Sequence, residues 1–145
     1  MNTKYADVIE IVLAIMESYK INDIAKNSSD ETLTQLFLPY IKIASGELEN
    51  RHGDIDISDR NDKTLEFNCK LADGQQLIIA KFIVIGYLSK NTYDILQMQL
   101  HLQDGDFKTY AEKNNLDGKL NALYSLKEEV DYDIKIREYK KFNWN

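Results

Sequence analysis

The 145-residue chain has one cysteine, one proline, two histidines and six glycines, and each scarcity removes a class of explanation. With Cys69 alone, no disulfide can close within the chain, and nothing points to an oxidising compartment. Its neighbours Asn68 and Lys70 offer no base, so the thiol reads as a small core residue and not as a nucleophile. His52 and His101 lack a cysteine, histidine or carboxylate at the short helical spacing of zinc sites, so both read as surface residues. Gly105 and Gly118 are isolated and Gly46 sits inside a helical pattern, so no glycine-rich phosphate loop exists. Long apolar runs are missing too. The stretch from Leu77 to Leu88 is interrupted by Lys81 and Gly86 and is too short to span a bilayer. The first residues show no basic region followed by an apolar signal core, so neither secretion nor membrane insertion is expected.

Basic blocks are absent as well. The chain has 18 basic and 24 acidic side chains, a net charge of −6, with both signs scattered. Duplex nucleic acid is therefore not expected as the primary ligand, because phosphate binding draws on a basic stripe. The acidic balance suits solubility, and it is compatible with a basic partner surface.

What is present is ordinary for a folded protein: 43% hydrophobic and 29% charged residues. The length predicts a single domain over residues 1–145. Tyr5, Val8, Ile9, Val12, Ile15, Met16 and Tyr19 recur at three- and four-residue spacing and predict a first helix. Ser28 with Glu31 has the spacing of a capping box. Leu33, Leu36, Phe37, Tyr40, Ile41, Ala44 and Leu48 predict a second helix, kinked or broken near Leu38 by Pro39 and ended by Gly53. Residues 53–70 read as an extended loop over the core, with a short hairpin as the alternative. The apolar segment 77–88, whose β-branched content would also suit a buried strand, predicts by length a central helix capped by Asp73, followed after the polar stretch Ser89–Thr92 by another carrying Ile95, Leu96, Met98 and Leu100. Asp104, Gly105 and Asp106 mark a turn before a short helical turn; a last helix runs from about Asp117 to Tyr139 with Leu120, Leu123, Leu126, Val130, Ile134 and Arg137 as its stripe, while the alternation of Tyr132, Ile134 and Ile136 leaves an extended end as the alternative. The fold class expected is mainly α, a small bundle of four to five helices.

Few motifs carry chemistry. Asp54, Asp56 and Ser58 have the alternate spacing that opens a calcium loop, but Asp59 stands where glycine is needed and Leu65 where a bidentate glutamate is needed. No local pattern marks a catalytic pair, so the chain is not expected to be an enzyme or to hold a cofactor or metal. The tail, Tyr139, Lys140, Lys141, Phe142 and Trp144, interleaves basic and aromatic residues, a composition that suits anchoring at a protein interface or stacking on single-stranded nucleic acid, with a frayed terminus or an aromatic folded back onto the core as the plain alternative.

Three segments resemble small head-to-tail connector proteins, or neck adaptors, of tailed bacteriophages. They are Leu36-Phe37-Leu38-Pro39-Tyr40-Ile41-Lys42-Ile43-Ala44 with Glu47-Leu48-Glu49-Asn50, Ala80-Lys81-Phe82-Ile83-Val84-Ile85-Gly86-Tyr87-Leu88, and Phe107-Lys108-Thr109-Tyr110-Ala111-Glu112-Lys113-Asn114-Asn115-Leu116. The resemblance spans about residues 33–140. It implies a helical bundle assembled as a ring, a dodecamer, beneath the portal and around the DNA exit channel, with DNA passing unbound. The implied partners are other copies, the portal protein and further neck or tail proteins, with no membrane. The location would be the virion neck, after synthesis in the host bacterial cytoplasm. Such adaptors dock on the portal through a terminal segment, which implies a docking tail at 138–145 carried by Tyr139, Lys140, Lys141, Phe142 and Trp144. The loop residues Asp54, Asp56, Asp59, Arg60 and Asp62 would then face a neighbouring subunit or the next ring. The competing expectation from another class is a cytoplasmic immunity or antitoxin protein that binds a basic toxin.

Overall fold

The computed structural model describes residues 1–24, 28–51 and 54–143, with side chains described through Lys140. Among these residues the chain forms α1 (Tyr5–Ser18), α2 (Asp30–Asn50), a hairpin of β1 (Arg60–Asn61) and β2 (Glu66–Phe67), then α3 (Asp73–Gln97), α4 (Asp104–Lys113) and α5 (Leu116–Asn143). A 3₁₀ turn at Met98–Leu100 joins α3 to α4. The protein is a mainly helical bundle. No helix among the described residues is long and apolar enough to cross a membrane.

The bundle is organised around α3, which packs against α1, α2 and α5. Its apolar residues face nearly every direction because three helices surround it: Ile78, Ile79, Phe82, Ile83 and Val84 are all buried. The β-branched content would suit a strand, but the backbone is helical for 25 residues. The Gln75 side chain accepts the Ala72 N–H at 2.9 Å at its start. The cap position is Ala72, with Asp73 the first helical residue instead of the expected cap. The polar stretch Ser89–Thr92, expected to separate two helices, lies inside α3. Thr92 is accommodated by donating its hydroxyl back to the Leu88 carbonyl at 2.7 Å.

α2 also runs unbroken, through Pro39. Proline removes one internal hydrogen bond, yet Gln35 and Pro39 are exposed, so the freed carbonyl is open to water. The buried residues Phe37, Ile41, Ala44 and Leu48 continue one face across the proline. The N-cap is Ser29, whose hydroxyl accepts the Thr32 N–H at 3.2 Å, one residue beyond the expected Ser28. Gly53, expected to end this helix, lies outside the described residues.

Residues 54–71 form a strap with a hairpin of two-residue strands joined by a turn over 62–65 at its centre, pairing Arg60 with Phe67 and Asn61 with Glu66. The N-terminal residues complete it. Thr3 donates its N–H to Cys69 at 2.9 Å and accepts from Phe67 at 2.8 Å, and Tyr5 donates to Leu65 at 2.9 Å. Ile55, Ile57 and Phe67 are buried, but Cys69 is exposed, not in the core as the alternation suggested. The strand ends at Phe67 and the chain bends at Asn68 and Cys69, which breaks the period of two. The turn at Asp104–Asp106 is the first turn of the ten-residue α4, and α5 stays helical through Tyr132, Ile134 and Ile136.

A candidate interaction surface on α2, α3 and α5

The acidic strap is fastened to its own body. Asp54 receives two hydrogen bonds from the Arg137 guanidinium of α5, at 2.9 and 2.6 Å, and the pair holds Arg137 above its ordinary pKa. Asp56 accepts from the Ser58 hydroxyl at 2.6 Å and from its N–H at 2.9 Å, which lowers the carboxyl pKa. Asp59 accepts from the Asn68 side chain at 2.8 Å. Arg60 donates to Ser45 of α2 at 3.3 Å and to the Ile57 carbonyl at 3.2 Å, and lies 3.4 Å from Asp62. Asp62 in turn accepts the Tyr5 hydroxyl at 2.5 Å. The five loop residues that the sequence singles out are thus engaged within the chain. Their carboxylates do not converge: among the described residues no group of three or more His, Cys, Asp or Glu side chains is placed to hold a metal ion.

Two lysines that sequence reasoning passed over are nearly buried. Lys81 of α3 lies 2.7 Å from Asp133 and 3.8 Å from Glu129 of α5, and Glu129 also accepts the Tyr19 hydroxyl at 3.2 Å. Lys119 of α5, 2% exposed, lies 2.8 Å from Asp23, which also accepts the Tyr87 hydroxyl at 2.9 Å. Burial, then the bonded carboxylate, pushes the Tyr87 and Tyr5 phenols well above the ordinary range, and burial with Glu129 raises Tyr19. These groups join the segment after α1 to α3 and α5, and Tyr5 of α1 to the strap. Their spacing in sequence carried no signal, because partners from distant segments meet only in the folded chain.

Tyr139 and Lys140 of the predicted tail are exposed on the last turns of α5; the side chains of Lys141 and Phe142, and Trp144 altogether, lie outside the described residues. α5 has apolar residues on two opposite faces. Leu123, Leu126, Val130 and Ile134 are buried against the bundle. At helical spacing on the other side stand Tyr124, Tyr132 and Tyr139, 61%, 65% and 70% exposed, with half-buried Ile136 between the last two.

Beside this ridge lies a groove of about 1010 Å³ between α2, α3 and α5, lined by Tyr40, Ile43, Phe82, Ile85, Tyr93 and Val130 among others. Its shape depends on Gly86. A Cβ there would stand 3.1 Å from the Tyr40 ring, so glycine lets Tyr40 lie against α3. The Tyr40 and Tyr87 rings meet edge to face, centroids 6.0 Å apart. An Arg51–Asp131 ion pair sits on the rim, with the Arg51 guanidinium 5.5 Å from the centre of the Phe82 ring. Lys90 is paired with Asp94 at 2.6 Å. Glu47 and Lys127, also on the rim, make no ion pair among the described residues. Ile43 and Tyr93 are 52% and 59% exposed.

Comparison with known proteins finds no matching family, no matching relative and no matching solved structure.

Proposed function

We propose that this chain is a structural adaptor that works by protein contact and not by catalysis. More narrowly, it is a head-to-tail connector of a tailed bacteriophage, a ring subunit beneath the portal around the DNA channel. The observation that carries the reading is the presence, on one small bundle, of two unlike apolar surfaces: the tyrosine ridge of α5 and the groove between α2, α3 and α5. A ring subunit requires such a pair, since a heterologous contact repeats from copy to copy until it closes. Exposed tyrosines are the residues that anchor interfaces.

The narrower assignment draws on the likeness of residues 36–50, 80–88 and 107–116 to neck adaptors. A net charge of −6 is compatible with a channel through which DNA slides without adhering. On this reading the protein resides in the virion neck, and the tyrosine ridge of α5 and the groove are its contact surfaces toward neighbouring copies.

The test is the mass of the purified protein across concentration by light scattering, alone and with a candidate portal ring. A large closed oligomer, or a monomer that assembles on the portal, is the expected result. A stable monomer or dimer indifferent to the portal would sink the reading and turn attention to an acidic antitoxin.

A further inference from the structure

We infer that the outward face of α5 from one copy, carried by Tyr132, Ile136 and Tyr139, seats in the α2–α3–α5 groove of a second copy. The inference rests on the self-assembly proposed above and names the surfaces that make it. Positions i, i+4 and i+7 on one helix face are the anchor pattern by which a helix lies in an apolar groove. Two of the three are tyrosines more than 60% exposed, and the groove has the volume of a sizeable binding cleft.

The chain cannot fill its own groove with this segment. Asp131 lines the groove, and α5 continues from it as one helix to Asn143. At 1.5 Å per residue, Tyr139 stands roughly 12 Å farther along the axis, and an intact helix does not fold back. A groove filled by this segment is therefore that of another molecule. Charge favours a second copy of this chain. The rim offers one acid, Glu47, and one base, Lys127, that make no ion pair among the described residues. The ridge is flanked by both signs, Lys135 and Lys140 with Glu138, all exposed, so each rim charge has an opposite available. Because ridge and groove are different surfaces, the contact is head-to-tail: each copy gives one and receives one.

The experiment uses the full chain with Ile43→Asp in the groove and Tyr139→Asp on the ridge. Both side chains are more than half exposed, so the fold should be retained, as circular dichroism would verify. Each variant alone is expected to need a protein concentration about tenfold higher, or more, to assemble. An equimolar mixture should form a one-to-one dimer that grows no further, since it holds one intact groove and one intact ridge. In a Cys69→Ser background, copies with Ile43→Cys and copies with Tyr139→Cys should be joined by a short bismaleimide mainly as mixed pairs. Wild-type assembly of both variants, or cross-linking of mixed pairs no better than of like pairs, overturns the inference. If the wild type still assembles in that case, the contact lies elsewhere and the ring reading survives. If it stays monomeric at every concentration and on the portal, the ring reading fails as well.

Discussion

Lys119 is the residue that ties the segment after α1 to α5. Its ammonium, almost wholly enclosed, meets Asp23 just after α1, and the same carboxylate accepts the Tyr87 hydroxyl of α3. A single carboxylate thus serves two helices. Removing the cation leaves Asp23 with one partner and a void where the lysine stem lay. Breaking a buried pair costs several kcal/mol, but Asp23 is 29% exposed and water takes up part of its charge. Lys119→Ala is expected to destabilise the fold by about 2 kcal/mol, and Lys119→Met by less, because methionine restores the apolar stem. Urea denaturation of the two variants checks this, and equal losses would show that packing of the stem contributes little.

Helices show where sequence periodicity was sufficient and where it was not. The faces of α1, α2 and α5 were legible because a 3.6-residue apolar repeat has one reading, and Val8, Val12, Phe37, Ile41, Leu126 and Val130 are buried as the spacing requires. Helix starts were legible to within about one residue at Ser29, Ala72 and Leu116, but the end of α1 was not. α1 stops at Ser18 because Lys20 takes a left-handed conformation, φ 59°, and its N–H bonds to Glu17 while Ile21 bonds back to Met16. That closing pattern usually signals itself with glycine. α2 and α3 were divided in expectation because proline and polar residues locally disfavour a helix, whereas burial on both sides of each interruption keeps it going. The groove and the buried lysines were invisible, since they are made by contacts between distant segments. Pro39 gives the prediction at this scale. It is exposed and inside a continuous helix, so Pro39→Ala restores one backbone hydrogen bond and should stabilise the protein by about 1–3 kcal/mol, read as a rise in thermal midpoint. A fall would mean that the proline supports the groove wall it belongs to.

The whole molecule should be sensitive to alkali. Tyr5 and Tyr87 are held above the ordinary phenol pKa first by burial and then by Asp62 and Asp23, and Tyr19 by burial and Glu129. A raised pKa in the folded state means that folding favours the protonated phenol. That contribution is complete below about pH 10, the unfolded value, and is lost as pH rises toward the folded value. Stability measured by urea denaturation should therefore fall above about pH 10, less steeply in Tyr87→Phe. In the same range, absorbance titration of the nine tyrosines should show a late class in the wild type. Simultaneous titration of all nine would contradict the assignment.

The choice of tyrosine along the outer side of α5 has a further consequence for how a free copy waits. Leucine at Tyr124, Tyr132 and Tyr139 would leave a greasy strip that invites indiscriminate clumping. A phenol at Tyr124 or Tyr132 instead presents a flat ring with a polar hydroxyl at its edge. Under the proposed self-assembly, a free copy would stay dispersed and joining would be reversible, so that a wrongly placed copy could leave before the ring closes.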